Sequence, residues 1–113
     1  MEHPDCIFCK IISGKIPSSI IDQTDEVIVI KDINPKAPVH YLIIPKKHIC
    51  DLKQLGPEDK DLAAQMLFMA QRLSKKLPKP GDFKLVSNNG AGVGQCVFHA
   101  HIHFLAGKKF VDI

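Results

Sequence analysis

No stretch of this 113-residue chain comes near the ~18 consecutive apolar residues that a membrane-spanning helix needs. The start, MEHPDCIFCK, is polar and acidic and lacks the basic-then-apolar order of a secretory leader. A strong charge of either sign is also missing. Lys and Arg number 15 against 12 Asp and Glu, for a net +3 with histidine neutral. The basic residues are scattered, not striped, which argues against a nucleic-acid partner. There is no internal repeat, low-complexity tract or linker. These absences lead to the expectation of one soluble, cytoplasmic domain over residues 1–113, with no membrane partner. In that compartment the four cysteines are thiols or metal ligands, not disulfides. Apolar residues make up 45% of the chain, enough for one core. A domain this small leaves much of its surface wet, so dimerisation is expected.

What is present reads as α+β. Asp5 is placed to cap a short helix through CIFCKII, which Gly14 and Pro17 end. SSIID and EVIVIKD are two strands separated by the turn QTD, and VHYLIIP follows the proline-rich INPKAP as a third. Pro57 opens one long helix, on which Leu62, Met66, Met69, Ala70, Leu73 and Leu77 recur at helical spacing. Lys75 and Lys76 suit its last turn, and LPKPG stops it. DFKLVS is a fourth strand, NNGAGVG a glycine-rich loop, and QCVFHAHIHFLA a fifth strand. Sequential strands around one long helix predict an antiparallel sheet.

His99, His101 and His103 alternate with apolar residues. On a helix, His101 would point away from the other two. On a strand all three share a face, at roughly 6.8 Å per pair, and Phe98, Ala100, Ile102 and Phe104 form an apolar face opposite. Hydrogen-bonded surface histidines, a tri-histidine metal site and a purification tag are the rival readings. The intervening apolar residues argue against the tag. Imidazole suits phosphoryl chemistry because the neutral ring is a nucleophile near pH 7 and its cation is an acid and phosphate binder. The upstream NNGAGVGQ is no Walker loop, since it lacks Gly-Lys-Ser/Thr and leads into a strand. Its backbone can still approach an anion and offer N–H groups. CIFC is half of a zinc site whose other ligands must lie elsewhere; the alternatives are two unconnected core thiols and a thioredoxin-like redox pair, against which the lack of a preceding strand argues.

Through GQCVFHAHIHF the chain resembles the histidine triad family of nucleotide hydrolases and transferases. CIFCKIISGKIPSSII, KDINPKAPVHYLIIPKKHI and KLVSNNG resemble family segments in the expected order, so the likeness runs from about Asp5 to Leu105. The resemblance is nearest to the small purine nucleoside phosphoramidases and their bacterial relatives. It implies a five-stranded antiparallel sheet with one long helix and a short N-terminal helix, in a homodimer whose sheets continue across the interface. It also implies a catalytic set of His101, His103, Gln95 and His40. His101 would be the nucleophile that attacks the α-phosphorus of a purine nucleotide, forming a nucleotidyl-histidine that water then resolves. His103 would contact phosphate and help protonate the leaving group. Gln95 and the Gly94 backbone would bind the phosphate, Cys96 and Val97 would belong to the same nucleotide-binding set, and His40 would pack beside the triad. Asp32 would take the ribose hydroxyls, Ile7, Phe8, Ile30, Ile33 and Leu42 the base, and Asn88 the ribose or phosphate.

Bacterial relatives with this N-terminal cysteine pair resemble a zinc-binding subset. That resemblance implies one structural zinc on Cys6, Cys9, His48 and His99, with Cys50 a rival ligand and no cofactor for the chemistry itself. Cys96 departs from the phosphoramidase pattern, in which a serine can pass a proton toward a leaving amine; a thiol is a weaker donor. Three other functions compete with a phosphoramidase-like hydrolase. They are a dinucleoside polyphosphate hydrolase, a zinc-stabilised nucleotide-binding regulatory module with little turnover, and a metal hydrolase built on three histidines.

Overall fold

The computed structural model describes His3 and residues 5–110. A short helix, α1 (Ile7–Ile12), precedes three strands, β1 (Ile20–Gln23), β2 (Val27–Lys31) and β3 (Val39–Pro45). The long helix α2 (Lys60–Ser74) follows, then β4 (Lys84–Val86) and β5 (Ile102–Ala106). All neighbouring strands are antiparallel, in the order β1-β2-β3-β5-β4. This is the α+β architecture expected. No helix among the described residues is long and apolar enough to cross a membrane.

The sheet has cores on both faces, and strand alternation divides the residues between them. Val27, Val29, Ile43, Ile102 and Phe104 pack under the Leu62, Met66, Met69, Ala70 and Leu73 stripe of α2. On the other face Ile28, Ile30, Leu42 and Ile44 pack with Phe8 of α1. β2 is therefore apolar at four successive positions, because both of its faces are covered. His40 and His103 belong to the α1 face, where they alternate with core residues of β3 and β5.

Three local expectations are corrected. Cys6, not Asp5, is the N-cap of α1, and its thiol accepts the Cys9 N–H at 3.3 Å. Pro57 opens a 3₁₀ turn (Pro57–Asp59) that leads into α2, and the helix ends at Ser74, so Lys75 is its C-cap and Lys76 lies beyond it. The fifth strand starts at Ile102, not Gln95, so only His103 of the triad lies on a strand. Continuing the β3–β5 register would set Pro45 against Ala100, and proline has no N–H to give to a ladder. Instead Ala100 N–H donates to Ile49 O at 2.6 Å. The alternation does not extend to Phe98, which is 50% exposed instead of facing the core.

Candidate active site

The irregular run 95–101 brings the histidines together by folding back on the segment after β3. His99 is fully buried, and its Nε2–H donates to Pro45 O at 2.7 Å. That leaves the Nδ1 lone pair aimed at Cys6 Sγ (3.3 Å) and Cys9 Sγ (3.7 Å). His48 Nδ1 lies 3.2 Å from Cys9 Sγ. The four ligand atoms of Cys6, Cys9, His48 and His99 all lie within 4.8 Å of one another. In a tetrahedral zinc site, metal–sulfur and metal–nitrogen bonds of about 2.3 and 2.0 Å place neighbouring S and N about 3.6 Å apart. The observed contacts are edges of that size, so the donor set fits one closed cation. Burial pushes the Cys6 thiol up, lowers His48, and holds His99 down at about 4. Low histidine values keep imidazole lone pairs available, while the raised thiol needs a cation's charge to ionise. Cys50 is outside this cluster.

His101 is set by the same backbone. Its Nδ1–H donates to His99 O at 2.8 Å, which fixes the proton there and leaves Nε2 with a free lone pair. Ser87 Oγ donates to His101 O at 3.0 Å, and the Phe8 ring stands edge-on to the imidazole at 5.2 Å. The His103 ring is 5.1 Å away, centre to centre.

His40, His103 and Asp32 form a second cluster of ligand-type atoms. Its protons are arranged differently. Lys36 N–H donates to His40 Nδ1 at 3.0 Å, so the His40 proton sits on Nε2. That proton faces His103 Nδ1 at 2.9 Å and Asp32 Oδ2 at 3.4 Å. His103 therefore accepts at Nδ1 and carries its own proton on Nε2. A cation between these atoms would have to displace the His40 proton or break the Lys36 bond, so the cluster is a hydrogen-bond chain and not a metal site. Burial first, then the neighbouring His101 and His40, brings His103 down to about 4. Burial also lowers His40.

The glycine-rich loop curls through a 3₁₀ turn (Ala91–Val93) between Gly90 and Gly94, whose φ values of 115° and 105° disfavour any side chain. The N–H groups of Val93, Gly94 and Gln95 are taken by Gly90 O, Ala91 O and Gly90 O. Those of Cys96 and Val97 have no acceptor among the described residues, and they lead directly into the triad. Gly94 thus offers flexibility but no N–H. Gln95 is only 4% exposed, with its carboxamide turned inward.

Of the residues expected around a nucleoside, Phe8, Ile30 and Leu42 meet in the α1-face core, with Val97 against them. Ile7 is partly exposed, Ile33 stands 89% exposed beside Asp32, and Asn88 is half-buried. Asp32 Oδ1 accepts Asn34 N–H at 2.8 Å, while its other oxygen faces His40. Cys96 is exposed, with Sγ 3.5 Å from Gly94 O.

Several contributors had no clear sequence signal. The carbonyls of Pro45 and His99 and the N–H of Lys36 set histidine tautomers, and every residue carries such groups. Ile11 joins the α1-face core at the spacing of an ordinary helix residue. Ser87 closes the expected fourth strand and Asn89 lies in the expected glycine-rich loop, but their partners, His101 O and Leu52 N–H, are distant in the chain.

Known proteins resemble this chain over nearly its whole length. A family model described as "Scavenger mRNA decapping enzyme C-term binding" matches residues 5–111. The chain is 46% identical over 106 residues to an uncharacterised HIT-like protein of Synechocystis, covering 94% of this chain and 93% of that one. A histidine triad protein from Clostridium difficile is similar in structure, with a TM-score of 0.93 at 38% identity, covering 100% and 99% of the two chains. A HIT family hydrolase from Clostridium thermocellum gives a TM-score of 0.89 at 40% identity, covering 94% and 93%. Since sequence, fold and relatives agree over this length, the chain belongs to the histidine triad (HIT) family.

Proposed function

We propose that this protein is a nucleotide hydrolase that cleaves purine nucleoside phosphoramidates or related adenylates at the α-phosphate. The observation that carries this reading is the 2.8 Å bond from His101 Nδ1–H to His99 O, which prepares Nε2 as a nucleophile. In the proposed cycle, Nε2 forms an N–P bond as the bond from phosphorus to the leaving amine breaks. The positive charge that develops on the ring is held at Nδ1–H against the His99 carbonyl. Water then attacks the phosphorus, the N–P bond breaks to return neutral His101, and the water's proton passes to His103 as the nucleoside monophosphate is released. Cys96 and Val97 N–H groups and His103 Nε2–H would donate to the non-bridging oxygens. An arriving phosphate anion raises the low His103 value, so a proton taken up with substrate can be delivered to the departing amine. Asp32, beside exposed Ile33 and the Phe8 core, is assigned to the ribose.

One structural zinc on Cys6, Cys9, His48 and His99 is part of this reading, supported by the ligand spacing. With all four ligands from the chain, it has no open position for substrate and supplies stability, not chemistry. A homodimer is proposed through β4, an edge strand, and the exposed Leu67 and Phe68 on α2. Light scattering should give twice the chain mass. The four unpaired thiols suit a cytoplasmic location.

Steady-state rates over adenosine and guanosine phosphoramidates, acyl-adenylates and diadenosine polyphosphates test the activity. The highest kcat/KM is expected on the amine- or acyl-leaving substrates. Preference for the diadenosine compounds would replace this reading with a polyphosphate hydrolase. Binding without turnover on any of them would leave a nucleotide-binding module.

A further inference from the structure

Gln95 is expected from the family pattern to touch phosphate, yet its carboxamide has no hydrogen left to offer. Nε2 has two hydrogens, and they go to Cys50 O at 2.7 Å and Val97 O at 3.0 Å. Oε1 accepts Gly90 N–H at 2.7 Å, and the Gln95 backbone N–H returns to Gly90 O at 3.1 Å. Turning the amide over would set its oxygen against two carbonyls and its NH₂ against an N–H, so the partners fix one orientation. The side chain is buried, and every polar atom on it is paired.

These four bonds have a mechanical meaning. They join the start of the glycine-rich loop (Gly90), its end (Val97) and the segment after β3 (Cys50). Two other ties flank them, Leu52 N–H to Asn89 Oδ1 at 2.8 Å and Ala100 N–H to Ile49 O at 2.6 Å. Gln95 is the tie in the middle, next to the unpaired N–H groups of Cys96 and Val97. Two N–H groups grip an anion well only when their peptide planes are held in place beforehand.

We infer that Gln95 is a positioning residue that clamps the glycine-rich loop, holding the Cys96 and Val97 N–H groups toward a phosphate beside His101, and that it is not itself a phosphate ligand. The phosphate part rests on the proposed function; the clamp does not.

Nuclear magnetic resonance of the ligand-free wild-type protein tests the clamp directly. The Gln95 NH₂ hydrogens should exchange with water at least ~100-fold more slowly than those of an exposed glutamine. Adding AMP should shift the Cys96 and Val97 N–H signals and leave the Gln95 NH₂ nearly unmoved. Exchange at the exposed rate, or an AMP shift centred on the Gln95 NH₂, would overturn the inference. In Gln95→Leu and Gln95→Glu, amide exchange across 90–97 should rise ~10-fold or more without ligand, while adenosine, which has no phosphate, binds as before. Folded variants with wild-type loop exchange but no preference for AMP over adenosine would show a direct ligand and refute the clamp. Should neither variant fold, the wild-type measurement still decides. Lack of turnover on every nucleotide would defeat the proposed activity and leave the exchange result standing.

Discussion

Two clusters of metal-type side chains lie on the same face of the sheet, and they have opposite characters. Cys6, Cys9, His48 and His99 converge with lone pairs inward, because Pro45 O draws the His99 proton to the far side of its ring. Asp32, His40 and His103 are as close together, but Lys36 N–H pushes the His40 proton into their midst. Residue type and spacing do not separate a cation site from a proton chain. A single backbone group behind one ring does. His99 also reaches beyond its own cluster: its ring faces the thiols, and its carbonyl accepts the His101 Nδ1–H.

The largest expected effect tests the catalytic side of that comparison. His101→Asn should cut turnover by ~10⁴-fold or more, about 5.5 kcal/mol of barrier. AMP affinity, measured by calorimetry, should change less than ~10-fold, since the loop and Asp32 remain. A near-normal rate would sink the covalent mechanism.

On the metal side, Cys9→Ser should remove zinc from a one-per-chain stoichiometry and lower stability by ~3 kcal/mol, or about 10 °C in Tm for a domain this size. Activity per folded molecule should fall far less than in His101→Asn. Protein purified without chelator and free of stoichiometric metal would break the contrast between the clusters.

The proton chain can be cut at His40. His40→Phe keeps the ring volume but removes the donor to His103 Nδ1, so the His103 tautomer is no longer fixed. A fall in kcat of ~10–100-fold with little change in AMP binding is expected. A fall in affinity alone would place His40 in binding instead.

Lowering pH should act on the same chain. His103 has its value depressed from 6.5 to about 4. Between those values the unfolded chain binds the proton and the folded one does not, so stability declines as pH falls from 6.5 through about 4. His103→Gln should flatten part of that slope in denaturant titrations.

Cys96→Ser carries the smallest change. If a hydroxyl relays a proton better than the exposed thiol, rates on amine-leaving substrates should rise ~10-fold, with acyl-leaving substrates little affected. An unchanged amine rate would mark Cys96 as suited to another leaving group.

Local residue patterns mark most of the elements and the faces they bury. VIVIK, VHYLIIP and the Leu62–Leu73 stripe carry patterns that mark strands and an amphipathic helix, so an antiparallel sheet packed on one long helix was legible, while the insertion of β5 between β3 and β4 was not. The identities of the triad, the CIFC pair and the glycine loop were legible too, because those side-chain chemistries are local. Where β5 begins was not legible, since it depends on Pro45 meeting Ala100 across strands distant in the chain. The inward turn of Gln95 was hidden for the same reason: its partners Gly90, Cys50 and Val97 are backbone groups that any residue could supply. Which nitrogen of each histidine holds its proton is invisible in the chain order. That is fixed by carbonyls and N–H groups brought in by folding, and a backbone group carries no mark in the sequence of the ring it will face.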